Sequence, residues 1–247
     1  MGFDPKKGQG MESSEDLKLK KAKGFDLLYE ISRAISSNRY LEEILVLIVG
    51  MTAELMGSKI CSLMLLNEEK QELVIKATQS LSEKYRTKPP VKVGESVIGR
   101  VVQQKRPIIV SDVAQEKGYK YPEIAKAEGL RSLVSVPMMI KSRVIGVLNC
   151  YTAVPHEFSE QEVQLLVGVA NQAAIAIENT QLLTEKIAAV EALETRKRVE
   201  RAKGILMKRN SLNEEEAYRR LQKQSMEKRH SLKEIAEAII VSEEISN

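Results

Sequence analysis

The stretch Leu133-Val134-Ser135-Val136-Pro137-Met138-Met139-Ile140, then Lys141-Ser142-Arg143, then Val144-Ile145-Gly146-Val147-Leu148-Asn149-Cys150-Tyr151 holds two apolar runs about a short polar break. Such runs, bounded by turn residues and rich in Val and Ile, read as a hairpin of two strands. Residues 59–66 and 72–78 repeat the pattern around Asn67-Glu68-Glu69-Lys70-Gln71 and predict a second hairpin. Between the two, Pro107 leads into Ile108-Ile109-Val110, a strand ended by Ser111-Asp112. Gly94 precedes a short helical stretch over 96–103 with Val97, Val101 and Val102 on one face, and a loop with Tyr119, Tyr121 and Pro122 leads to a short helix near 124–128.

Further upstream, Phe25, Leu28, Ile31 and Ile35 recur at three and four residues and predict a helix over 17–36. Asn38 is the expected cap of the next, in which Leu41, Ile44, Leu45, Ile48 and Leu55 continue the pattern until Gly57 stops it. Residues 1–16 are polar and Gly-rich without periodicity and are expected to be disordered. The order of helices and strands is that of an α+β domain, an antiparallel sheet of five or six strands with helices packed on a face.

Downstream of the central hairpin, Ser159 caps a helix with Glu160 and Glu162 in its first turn. Gly168 is the sole Gly or Pro before Gly204, so the helix is expected to run about 45 residues. Leu166, Val169, Ala173, Ala176, Thr180, Leu183, Ile187 and Val190 alternate three and four apart, a heptad seam that fails where Glu194 and Lys197 fall on it. Its first half covers the sheet through Leu165, Val169, Ala173 and Ile177. Thr180, Leu183, Ile187 and Val190 lie beyond the sheet and predict a parallel homodimer, with a coiled-coil linker inside 160–200.

The C-terminal part has a different charge. Between Arg196 and Lys233 thirteen Lys and Arg face five Glu and no Asp, a net +8 that leaves −4 for the rest of a chain whose total is +4. Such asymmetry suits a polyanion partner or, more plainly, a solvated helix face. Asn210 suits the left-handed position after a helix, and Asn213-Glu214-Glu215-Glu216 and Ser231-Leu232-Lys233-Glu234 are two capping boxes that open two more helices. Ala217, Leu221 and Met226 mark one apolar face, and Leu232, Ile235, Ala236 and Ile239 the other. Closed on Val199, Ala202, Ile205 and Leu206, they predict a three-helix bundle.

Two resemblances follow from these residues. Over 27–182 the chain resembles the GAF domain, through Val93-Gly94-Glu95-Ser96-Val97-Ile98-Gly99, Arg106-Pro107-Ile108-Ile109-Val110 with Asp112, Leu130-Arg131-Ser132-Leu133-Val134-Ser135-Val136-Pro137, Val144-Ile145-Gly146-Val147-Leu148-Asn149 and Phe158-Ser159-Glu160. That places a sensor domain over 17–182 and a ligand pocket near Asp112, Tyr121, Arg131 and Ser132, with Arg131 equally readable as a structural ion-pair partner. A small molecule, a protein partner or no ligand at all are open at this point: the constellation common in cyclic-nucleotide binders and a bilin-attachment cysteine are both missing from the sequence. Over 188–242 the chain resembles the ANTAR domain, through Val199-Glu200-Arg201-Ala202-Lys203-Gly204-Ile205-Leu206-Met207, Glu215-Glu216-Ala217-Tyr218 with Leu221, Ser225-Met226 and Leu232-Lys233-Glu234-Ile235-Ala236. Asn210 stands where that family often has Gly, and Ser225 where Ala is commoner.

The second resemblance implies an RNA-binding domain over 188–247 that grips two successive hairpins with six-nucleotide loops in a nascent transcript and prevents a terminator from forming. Loop bases are unstacked and can be held by an aromatic ring while basic groups hold phosphates. Tyr218, the only aromatic residue after Phe158, is followed by Arg219, Arg220 and Lys223. It reads equally as a base-stacking ring or as a core ring with a surface hydroxyl. Arg201 and Lys203 are expected to meet a phosphate closely, because Gly204 disfavours a helix interior unless something must approach. Arg198 adds to the general field.

Other functions find less support. His156 and His230 are the only histidines, and neither begins a phosphoacceptor motif. The sequence has no Gly-rich phosphate loop and no metal-ligand spacing, so no catalytic residue, cofactor or metal is expected. Cys61 and Cys150 sit in apolar segments and read as small buried hydrophobes. No apolar stretch approaches the roughly 18 residues of a membrane span and no leader opens the chain, so a cytoplasmic protein without membrane contact is expected. A DNA-binding regulator with a GAF sensor, or a non-catalytic GAF signalling or dimerisation module, are the alternatives.

Overall fold

The computed structural model describes residues 14–36 and 40–246, which divide into two compact units at Asn179 and Thr180. In the first unit, β1 Ile60–Asn67, β2 Glu72–Thr78, β3 Val91–Lys92, β4 Ile108–Val110, β5 Leu133–Ile140 and β6 Arg143–Tyr151 form one antiparallel sheet in the order β3-β2-β1-β6-β5-β4. The β5–β6 hairpin lies inside it, paired from Leu133 opposite Tyr151 to Ile140 opposite Arg143, and β6 pairs on its other side with β1. β4 pairs only with Leu133, Val134 and Ser135, so Pro137 stands where that side of β5 has no neighbour to miss its N–H.

The two-residue alternation of a strand separates the faces. Leu63, Val134, Val136, Leu148 and the facing pair Cys61 and Cys150 pack against α1 Ser14–Ile35, α2 Leu41–Leu55 and the early turns of α6 Glu160–Asn210. Ile31, Ile48, Leu166, Val169 and Ile177 fill that layer. The opposite face meets α3 Glu83–Arg86, α4 Ser96–Gln104 and α5 Pro122–Ala127 through Tyr85, Val97 and Ala125. Neither α3 nor β3 is expected from the sequence, because four and two residues are too few for a period to register.

Helix α1 presents its expected face except at Phe25. Ile31 is buried and Leu28 and Ile35 pack against the core, joined by the buried Gly24, Leu27 and Ala34, whereas Phe25 is 73% exposed. At that end a close helix contact takes the place of a large side chain: a Cβ on Gly24 would stand 3.1 Å from Leu165 Cδ1. α1 starts at Ser14, so residues 14–16 are helical and not disordered, while 1–13 lie outside the described residues. Asn38 also lies outside them. Helix α2 begins behind Tyr40, whose side chain makes no capping bond.

In the second unit the end of α6, α7 Glu214–Lys228 and α8 Leu232–Ser246 enclose Val199, Ala202, Leu206, Ala217, Leu221, Ile235, Ala236 and Ile240. Both capping boxes form. Asn213 Oδ1 accepts from the Glu216 N–H at 2.9 Å and the Glu216 carboxylate accepts from the Asn213 N–H at 2.9 Å, and Glu234 accepts from the Ser231 N–H at 2.7 Å. Helix α6 passes Gly168 and Gly204 unbroken to Asn210, and Ser211 with φ +52° takes the left-handed position expected of Asn210. Met226 is 75% exposed and not part of the core. Five residues beyond Leu221 it points about 140° away around the helix.

Two glycines make a paired test. A Cβ on Gly146 would stand 2.3 Å from the Met64 carbonyl oxygen, whereas one on Gly50 in α2 would meet nothing within 4 Å. Gly146→Ala is expected to destabilise the first unit by about 1–3 kcal/mol, and Gly50→Ala to stabilise it by up to about 1 kcal/mol, as read from urea unfolding of the full chain.

Candidate functional site

The basic bundle sorts its cations into two groups. Arg198 donates to Glu237 at 2.6 Å, Arg201 to Glu244 at 2.7 Å and Arg219 to Glu215 at 2.6 Å, and Lys223 lies 3.8 Å from Glu227. Exposed pairs of this kind are each worth about 0–1 kcal/mol, so a phosphate can replace the carboxylate at little loss. Lys203 is different. Its side chain is 9% exposed and its ammonium reaches Glu214 at 2.7 Å and Glu200 at 2.9 Å, which ties α6 to the first turn of α7. Glu214 first and Glu200 second hold its proton more firmly than an ordinary lysine would. The structure therefore places Lys203 as a clamp within the bundle, turned to carboxylates of its own chain.

Gly204 beside it is exposed, and a Cβ there would meet nothing within 4 Å. No neighbour among the described residues requires a glycine at that point. Tyr218 is 38% exposed and stands outside the apolar core of the bundle.

Arg220 belongs to the second group. With Arg209 and Lys228 it surrounds a cleft of about 400 Å³ among the three helices, and none of the three has a carboxylate partner among the described residues. Gln224 lies between Arg220 and Lys228 on the same wall, and Ile205 and Ile239 contribute to the apolar lining. Arg209, Gln224 and Lys228 escape the sequence reading. The four-residue spacing of Arg220, Gln224 and Lys228 puts them on one side of α7, but which side turns toward a cleft depends on the packing.

In the first unit three of the four expected pocket residues lie together and Tyr121 lies apart. Arg131 and Asp112 form an ion pair at 3.2 Å, and Asp112 also accepts from the Ala114 N–H at 3.0 Å. Ser132 Oγ donates to the Ser111 carbonyl at 2.6 Å and accepts from the His156 N–H at 2.9 Å. Tyr121 instead donates to the Pro89 carbonyl at 2.8 Å and packs with Ile98 and Val102 in another cluster. All four hydrogen-bonding groups are thus engaged within the domain.

The face behind them carries a buried polar row. Ser135 Oγ donates to Asn149 Oδ1 at 2.7 Å, Asn149 Nδ2 reaches Ser62 Oγ at 3.4 Å, and Ser62 Oγ meets the Tyr85 hydroxyl at 2.9 Å. Burial pushes the phenols of Tyr85 and Tyr151 up, so both stay neutral. The Lys88 ammonium stands 4.0 Å over the Tyr85 ring, where burial lowers it to about 7 and the negative ring face acts in the opposite sense. Sequence alternation could have placed Ser62, Ser135 and Asn149 on one face, but the polar ring of Tyr85 comes from α3, which left no periodic signal.

Cys61 and Cys150 are buried with their sulfurs 3.6 Å apart, and burial raises the Cys61 thiol well above its ordinary value. Among the described residues no group of three or more His, Cys, Asp or Glu is placed to hold a metal ion, and no helix is long and apolar enough to cross a membrane.

Comparison with known proteins divides the chain the same way. Residues 38–178 match the family model described as GAF domain, and residues 188–240 the one described as ANTAR domain. The first part is 26% identical over 155 residues to an Escherichia coli phosphoenolpyruvate-dependent phosphotransferase system protein, which covers 63% of this chain and 21% of that protein. The chain thus spans about a fifth of the length of that curated relative. The GAF domain of a Coxiella burnetii phosphoenolpyruvate-protein phosphotransferase superposes with a TM-score of 0.61 at 26% identity, covering 66% of this chain and 98% of that one. The C-terminal part is 42% identical over 50 residues to the Mycobacterium tuberculosis transcriptional regulatory protein PdtaR, covering 20% of this chain and 24% of PdtaR.

The Lys203 clamp has a pH signature. Lys203 lowers the Glu214 carboxyl below its ordinary 4.5, so its stabilisation is present above that value and lost as pH falls through the lower folded value. The lysine, raised above its ordinary 10.5, loses its share only as pH rises through that raised value. Glu214→Gln is expected to lower the melting temperature at neutral pH and to converge with the wild type only as pH falls through the lowered Glu214 value, as followed by circular dichroism of the full chain.

Proposed function

Because this chain belongs to the GAF family through residues 38–178 and carries an ANTAR domain behind it, we propose that it is a signal-responsive regulator that, as a homodimer, grips paired RNA stem-loops in a nascent transcript and keeps a terminator from forming. The observation that carries this reading is an exposed apolar stripe on the helix that leads into the basic bundle. Leu183 is 58% and Val190 51% exposed, with Ile187 between them equally open to water and Thr180 at the head of the stripe. Spaced three and four apart, these side chains are what a parallel partner helix buries. Glu194 and Lys197, next on the seam, pair with each other at 3.4 Å and mark its end.

Two chains joined there carry two basic bundles, one for each stem-loop. The net +8 between Arg196 and Lys233 draws phosphates, and Arg198, Arg201, Arg219 and Lys223 exchange their exposed carboxylates for them. Unstacked loop bases suit the part-exposed ring of Tyr218. The GAF unit supplies the regulation: a small molecule or protein partner bound there favours one pairing of the two long helices and so one spacing of the bundles.

Leu183→Glu combined with Ile187→Glu is expected to give monomers by native mass spectrometry and to lower affinity for tandem stem-loop RNA about a hundredfold, toward that for a single stem-loop. Unchanged affinity of that variant, or equal wild-type affinity for duplex DNA at the same salt, overturns the reading. Gly204→Ala tests the close approach: the bundle gains about 0.5–1 kcal/mol of stability while affinity for RNA falls. A gain in stability with no loss of binding removes Gly204 from the interface.

A further inference from the structure

We propose that the cleft ringed by Arg209, Arg220 and Lys228 takes a single unpaired nucleobase together with its flanking phosphates, an inference that rests on the RNA reading above. Charge points there first. Of the thirteen Lys and Arg between Arg196 and Lys233, six (Lys197, Arg198, Arg201, Lys203, Arg219 and Lys223) are turned to carboxylates of the same chain. Of the seven without such a partner among the described residues, three converge on one cleft, and no Asp or Glu lines it. Like charges gathered around one small volume repel, and an anion placed among them removes that repulsion.

The lining of the cleft fits a base. Ile205 and Ile239 are partly buried apolar residues at the edge of the bundle core. An apolar surface of this kind accepts the flat face of a heterocycle, which an inorganic anion or an acidic side chain does not use. Gln224 stands on the cationic wall with an amide that both donates and accepts, the pairing needed for the edge of a base. Its size fits as well. At about 400 Å³ the cleft is within the range of small-molecule sites, roughly 300–1,000 Å³, and far too small for a duplex. Its occupant must already be out of a base stack, as loop nucleotides are.

The test uses the full chain with a stem-loop RNA and a series of the same RNA in which each loop nucleotide in turn is abasic. One abasic position is expected to weaken wild-type binding about tenfold and to have no further effect on Gln224→Leu. Arg220→Gln and Lys228→Gln should each reduce the slope of log affinity against log salt by about one phosphate, with helix content by circular dichroism unchanged. If all three variants keep wild-type affinity and slope, the cleft is not the site although the RNA reading stands. If the wild type binds no stem-loop, that reading falls and the inference with it. If polyglutamate displaces a single-stranded RNA oligonucleotide as well as a second oligonucleotide of equal charge does, the cleft is a site for an acidic protein and the inference is overturned.

Discussion

Helix α6 contributes side chains to two separate cores. Leu166, Val169, Ala173 and Ile177 belong to the sheet layer of the first unit, and Val199, Ala202 and Leu206 to the bundle of the second. Between them, from Gln181 to Leu193, every residue is exposed. A helix of this length in water is held mainly by the packing at its ends, because propensity alone makes isolated helices marginal. The two anchors therefore also determine the state of the stretch between, and anything that changes the packing of either core acts on the same element.

The second unit shows how a bundle so rich in Lys and Arg stays folded. Acids are placed where they satisfy helix ends and cations together: Glu214 opens α7 and holds Lys203, and Glu216 and Glu234 close the capping boxes. Arg198 and Arg201 lie against Glu237 and Glu244 of α8, across the bundle. Part of what is left over converges. Arg209, Arg220 and Lys228, from the end of α6 and one side of α7, have no carboxylate partner among the described residues and meet at a cleft lined by no Asp or Glu. Part of the charge excess is thus gathered at one place, a distinction that net charge cannot express.

How far the sequence foretells this structure depends on what each feature is made of. Strands of the central hairpin, the capping boxes and the bundle core were legible because each rests on local spacing, of two residues, three residues and three-to-four residues respectively. On α1 the burial of Gly24 in place of Phe25 was not, since that contact is made by Gly24 against Leu165 and hydrophobic periodicity gives glycine no weight. Asn210 and Ser211 differ by one residue, within the uncertainty of any helix end read from composition. Arg131 stayed open between a pocket residue and an ion-pair partner, because an Asp112–Arg131 pair and an open anion site look the same as letters; in the fold it pairs with Asp112. Lys203 is the sharpest case: its neighbour Gly204 suggested an outward role, while the acids that claim it lie three and eleven residues away.

The proposed seam is also weak by design of its length. Burying an apolar side chain fully is worth about 1.5–3 kcal/mol, and Leu183, Ile187 and Val190 each have about half of their surface left to bury. Six such side chains in a pair give on the order of 4–9 kcal/mol, against an association cost of about 4–15 kcal/mol. The stripe alone therefore leaves pairing near balance. A helix pair near balance responds to small inputs: a ligand that favours one arrangement tenfold needs only about 1.4 kcal/mol of differential affinity. A longer or more apolar seam would lock the dimer and remove that sensitivity. Glu194 and Lys197, which end the stripe by pairing with each other, keep it short enough to be moved.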